Sequence, residues 1–195
     1  MVPESPLEQT EHGLVATDGG WFVLNARDAP WRIRGGRGAY AEFEGFEGKA
    51  DFSQLGINVQ VLGPGEPMAM YHHEHDQEDF LVLAGEPLLI VEGQERRLRP
   101  WDLVHCPPGT GHVIVGAGES LSVVLAVGAR VRSTGPDWGA YTVDDAALRH
   151  GAGVDRETTD AAEAYARFPP GEPARYRRGW LPEDGRPAAN LRSSI

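Results

Sequence analysis

The chain has one cysteine, Cys106, in 195 residues. No disulfide framework is available to it, and a reducing compartment is the expected setting. No apolar run approaches the roughly 20 residues a membrane-spanning helix needs. Residues 1–10 have neither the basic start nor the apolar stretch of a secretory leader. A cytoplasmic location is therefore expected, with no membrane partner. Basic charge is also scarce: 18 Lys and Arg stand against 29 Asp and Glu, for a net charge of −11. Such a surface repels phosphate backbones, so a nucleic-acid partner is not expected. The arginines from Arg175 onward outnumber the acids but are few and scattered, which reads as a solvated or docking segment. There is no internal repeat, no low-complexity tract and no helix-turn-helix pattern.

Turn formers are plentiful. The 25 glycines and 15 prolines make up a fifth of the chain, which favours short strands and tight turns over long helices. A chain of 195 residues suits one domain with extensions. Residues 1–18 read as a loose polar arm. Apolar bursts follow at 21–24, 40–43, 57–62, 80–83, 88–91, 102–106, 111–115 and 121–127. Short runs at this spacing, separated by Gly and Pro, predict an antiparallel β-sandwich or barrel. Several are apolar at both alternating positions, as expected where both faces are covered. Beyond Pro136 the pattern changes. Residues 144–150 carry acids first and bases last, with Gly151 as a stop, which predicts a short helix. Residues 159–168 predict a second helix, capped by Thr158 or Thr159. The resulting division is an N-terminal arm at 1–20, a β-barrel at 21–135, and a helical extension and tail at 136–195. Trp180 and Leu181 suit a tail that packs onto something, a second subunit included.

Three of the seven histidines and four carboxylates fall between His72 and Asp79. Alternate residues of a strand share a face, so two sets compete. One turns His72 and Glu74 inward with Met70, and the other turns His73 and His75 inward with Tyr71. Either set could offer imidazole and carboxylate ligands to one ion. A solvated polar loop is the competing reading of the same cluster.

The surroundings of this cluster resemble the cupin superfamily. The first cupin motif runs from a Pro-Gly turn through two spaced ligand positions to a Glu, followed after six residues by Gly. Here Pro64-Gly65 supplies the turn and Glu78 precedes Gly85 at that interval. Counting back three residues from Glu78, the motif places its ligand positions at His72 and Glu74, with Glu74 where a second histidine is usual. The His73/His75 pair leaves only two residues before Glu78. The second motif is matched by Pro107, Gly109 and His112, while Trp101 and Gly116 stand where it has Gly and Asn. The resemblance spans roughly residues 55–127. It implies a mostly β fold, an antiparallel double-stranded β-helix or jelly-roll barrel with short C-terminal helices.

The resemblance also implies a metal site formed by His72, Glu74, Glu78 and His112. Two nitrogens and two hard oxygens suit one divalent metal, Fe, Mn, Ni or Zn. Whichever of Glu74 and Glu78 is not coordinated could act as general base. Gln60, Met70, Phe80, Leu103, His105 and Ile114 are expected toward the pocket. Alternation lets only one of His105 and Cys106 face inward. The implied activity is that of a mononuclear metal enzyme, of oxygenase or isomerase type, acting on a small polar molecule. A non-catalytic metal- or ligand-binding module and a metal-free epimerase-like cupin are the alternatives. A homodimer is expected, with the arm and the tail containing Trp180 as candidate contacts.

Overall fold

The computed structural model describes residues 1–45, 48–131 and 137–183. The N-terminal arm is not loose: β1 (Leu7–Gln9) and β2 (Leu14–Ala16) pair as an antiparallel hairpin. The apolar burst at 21–24 forms no strand, and Trp21 and Val23 are exposed. β3 (Trp31–Ile33), β4 (Ala39–Glu42) and β5 (Leu55–Leu62) lead into β6 (His72–Glu74) and β7 (Glu78–Ala84). Then come β8 (Leu88–Val91), β9 (Gln94–Arg97), β10 (Leu103–Cys106), β11 (His112–Val115) and β12 (Ser122–Ala129). β13 (Gly139–Tyr141), α1 (Asp145–Arg149), α2 (Ala161–Ala164) and β14 (Glu172–Ala174) complete the described elements.

Besides the β1–β2 hairpin, the described strands form two larger antiparallel sheets. One runs β10-β7-β12-β5-β4-β3-β14 and the other β13-β6-β11-β8-β9. Alternation along each strand decides what lies between them. β7 buries Phe80, Val82 and Ala84, and β10 buries Val104 and Cys106. Of these, Phe80, Val104 and Cys106 meet Leu89 and Ile114 of the facing sheet in one apolar core. β11 is buried on both faces, because α1 covers its outer side through Ala146 and Ala147.

The segment beyond 136, expected outside the barrel, contributes to both sheets: β13 pairs with β6, and β14 with β3. The expected boundary at residue 135 and the chain after 183 lie outside the described residues. α1 is capped by Asp144, whose side chain accepts from the Ala147 N–H. The cap of α2 is Asp160, not either threonine. The Thr158 hydroxyl is engaged elsewhere, accepting from the Asp160 N–H and donating to Glu163. α2 is also shorter than expected. The tail folds back on its own barrel: Trp180 and Tyr176 pack their rings on the fully buried Trp31.

The backbone opposes one departure from the second motif and requires the other. Trp101 stands at φ 76, the left-handed region in which glycine is unstrained. Gly116 lies so close to the turn after β5 that a Cβ there would sit 2.0 Å from the Gly63 carbonyl oxygen. No side chain fits at this position, the motif's asparagine included.

Candidate metal centre

Strand register assembles the site. His72 of β6 and His112 of β11 are direct cross-strand partners, so their side chains leave the sheet on the same face. Glu78 approaches from β7 in the opposite sheet, and its partner on β10 is Cys106. His72 Nε2 lies 3.4 Å and His112 Nε2 lies 3.3 Å from Glu78 Oε2. One ligand atom from each of His72, Glu78 and His112 lies within 4.8 Å of the other two. Among the described residues this is the one group with such convergence.

The tautomers follow from the other ring nitrogens. His72 Nδ1 is 2.8 Å from the Met70 carbonyl oxygen, and His112 Nδ1 is 3.0 Å from that of Thr110. A carbonyl only accepts, so each Nδ1 carries a hydrogen and donates it. In the neutral rings each Nε2 is then left to present a lone pair to the centre, the arrangement of metal-ligating histidines, and on His112 a metal would displace the proton that Cys106 and Glu78 favour. Glu78 Oε2 and His112 Nε2 are buried without a hydrogen-bond partner. Buried polar atoms are costly to leave so, and a cation shared by the three atoms would satisfy both. The donor set fits a divalent metal of the N/O type.

Glu74 stands at the margin. Its Oε1 is 3.8 Å from His72 Nε2, and it does not join the three-atom convergence. Burial, and then the neighbouring Glu78, push its carboxyl up to about 7. Burial also works against charge on Glu78, but His112 and His72 beside it prevail and hold it near 2. Burial opposes charge on His112 too, yet Cys106 and Glu78 raise it to about 10.

A cavity of about 240 Å³ opens on these groups. Of the residues expected to line it, Gln60, Phe80 and Ile114 do so. Met70 is fully buried beside Tyr141 and Val154 instead, and Met68 takes the pocket wall. Leu103 and His105 are corrections: both lie on the outer face of β10, because alternation turns Val104 and Cys106 inward. His105 hydrogen-bonds Asp79 there at 2.6 Å. The His73 and His75 rings lie tilted against each other, 5.6 Å between centroids, and neither lines the cavity. Sequence reasoning missed Arg34, Trp138, Tyr141 and Tyr165, all of which line the cavity. Trp138 and Tyr141 flank the His72 ring from the extension expected to lie apart. They belong to no motif and to no run long enough to show a period.

The cupin domain family model matches residues 58–128, the stretch that holds His72, Glu78 and His112. This stretch is a cupin domain. Outside this cupin domain lie β3, β4 and the segments from β13 onward. The chain is 37% identical over 57 residues to quercetin 2,3-dioxygenase of Bacillus subtilis, covering 29% of this chain and 17% of that protein. It therefore spans about a sixth of that relative's length. A predicted oxalate decarboxylase from Thermotoga maritima is similar at 23% identity and a TM-score of 0.47, over 55% of this chain and 98% of that one. A sugar phosphate isomerase of the cupin superfamily from Silicibacter pomeroyi is similar at 25% identity and a TM-score of 0.42, over 54% and 62% of the two chains.

Proposed function

We propose that this cupin is a mononuclear metal enzyme, of oxygenase or isomerase type, acting on a small polar molecule. His72, Glu78 and His112 would hold one divalent ion, Fe(II), Mn(II), Ni(II) or Zn(II). The observation that carries the reading is the open side of the centre: three ligand atoms converge, and a cavity of about 240 Å³ faces them. Structural sites close their ligand shell, whereas catalytic ones keep a position free. A metal so held would supply Lewis-acid or redox chemistry. The protein's own contributions are clearer. Phe80, Ile114 and Trp138 give the cavity apolar walls. Glu74, beside the ligands and outside their convergence, is placed to accept a proton from a bound substrate as general base.

Cobalt substitution tests the open position. Azide added to the Co(II)-loaded protein is expected to change its visible spectrum. An unchanged spectrum would mean a closed shell and a non-catalytic module.

We also propose a cytoplasmic homodimer, paired through β10. Of the outer strands, β14 contains Pro173, β9 is charged, and β13 is bridged by Thr158. β10 has neither Pro nor Arg nor carboxylate, and Leu103 is 70% exposed on it. Trp101 beside it is 74% exposed and held in a backbone conformation that disfavours it, as expected of a side chain kept for a contact. Light scattering should give twice the 21.2 kDa chain mass for the native protein, and the single-chain mass for Leu103→Lys. A native protein that stays at the single-chain mass at high concentration would refute the pairing.

A further inference from the structure

The hairpin joining β3 to β4 carries two arginines, Arg34 and Arg37. The Arg34 N–H donates to the Gly38 carbonyl, and the Arg37 N–H to that of Arg34. The hairpin is held hard against β5, since a Cβ on Gly38 would lie 2.1 Å from the Val61 carbonyl oxygen. Arg34 is therefore fixed, and its side chain reaches the wall of the metal-site cavity.

A second cavity, about 440 Å³, lies on the other side of Arg34 and shares Asn58 and Gln60 with the first. Four arginines line it, and they divide into two kinds. Arg32 pairs with Glu42, and Arg130 with Glu44. Arg34 and Arg37 have no carboxylate within ion-pair distance among the described residues. Arg34 instead donates to neutral oxygens: the Met68 carbonyl at 3.1 Å, the Arg37 carbonyl at 3.0 Å and Gln60 Oε1 at 2.5 Å. Its Nε and that of Arg37 are buried without any partner. Arg37 lies over the Tyr165 ring, 4.2 Å from its centroid. Burial, and then Arg37, lower the Arg34 guanidinium to about 10, which still leaves it charged at neutral pH.

Charges drawn partly out of water without a paired counter-charge are costly, and here both guanidinium groups are half-buried while Arg34 lines the proposed reaction chamber. A divalent metal would balance Glu74 and Glu78, leaving Arg34 and Arg37 without a paired carboxylate and only Glu66 acting on Arg34 from further off. We propose that Arg34, reinforced by Arg37, receives an anionic group of the substrate, which makes the substrate a small organic carboxylate or phosphate. The assignment rests on the metal-enzyme reading, because it places the substrate's other end at His72, Glu78 and His112.

The test is calorimetric titration of the metal-loaded full chain with succinate, inorganic phosphate and neutral succinamide at matched ionic strength. Succinate or phosphate should bind and succinamide should not, and the tighter anion assigns the class. Arg34→Gln should weaken anion binding about ten- to a hundred-fold, the range for a lost hydrogen bond to a charged group, with metal content unchanged. Wild-type protein that binds neither anion, or that binds succinamide as well as succinate, would overturn the proposal. So would Arg34→Gln protein that binds the anion as tightly as wild type, since the anion would then sit on the metal. If Arg34→Gln does not fold, Arg37→Gln and the succinate–succinamide comparison on wild type decide. Elemental analysis of the same samples separates the two readings: Arg34-dependent anion binding without metal sinks the metal centre and keeps the anion site.

Discussion

Glu78→Gln is expected to lower metal affinity by at least about a hundred-fold, the upper end of what second-layer changes around a metal cause. Glutamine has nearly the same shape but offers no anionic oxygen. Glu78 is the group that both histidines approach, at 3.4 and 3.3 Å, so its charge is what draws a cation to this point. The effect should appear as loss of metal-induced thermal stabilisation. A metal present at a hundred times its dissociation constant adds about 2.7 kcal/mol to the folded state, and a hundred-fold loss of affinity removes most of that. Glu74→Gln is the control. Lying outside the convergence, it should keep most of the affinity. If Glu74→Gln loses the metal and Glu78→Gln keeps it, the two carboxylates have been given each other's roles.

Gly116→Asn, which restores the second motif's usual residue, is expected to destabilise the fold by about 3 kcal/mol or more, at the upper end of overpacking effects. The obstacle is backbone. A Cβ at 116 would meet the Gly63 oxygen at 2.0 Å, its carbon at 2.9 Å and Leu62 Cβ at 3.1 Å. Hydrogen bonds hold the two segments at that distance: Gly65 N–H to Gly116 O at 2.8 Å and Gly116 N–H to Glu66 O at 2.9 Å. For a chain of this length, each kcal/mol moves the melting midpoint by about 2–4 °C, so a fall near 10 °C is expected. Gly118→Ala separates packing from backbone conformation. Gly118 has φ 77 but no atom closer than 3.9 Å to a built Cβ, so its cost should stay near 1 kcal/mol. Equal losses at the two sites would show that Gly116 is not a packing position. Because Gly116 follows β11 directly, the same clamp helps fix His112 opposite His72.

The parts of the site that sequence reasoning reached are those whose spacing reflects strand geometry. His72 and Glu78 sit six residues apart, at the start of two consecutive strands, and His112 begins a third. Local alternation then settles which side chains face inward, so Phe80 and Ile114 were also within reach. Where one strand edge could be read either way, as at Leu103 to Cys106, alternation left a choice that only the pairing of Cys106 with Glu78 resolves. The remaining walls come from far along the chain. Arg34 lies in a hairpin before the family-matched region, and Trp138, Tyr141 and Tyr165 lie after it. Their strands are three residues long or absent, too short for periodicity to register. The N-terminal hairpin was hidden for the same reason. The docking of Trp180 on Trp31 is a contact between the two ends of the described chain, which no local pattern encodes.

Buried His72 and His112 and half-buried Glu78 converge as ligands for one metal ion. Elemental mass spectrometry of the full chain, purified without an affinity tag, tests it most directly. The account predicts about one equivalent of a single transition metal, and its absence from a His112→Ala variant prepared alongside. A native protein that carries no metal and takes up none of Fe(II), Mn(II), Ni(II) or Zn(II) on reconstitution would contradict it.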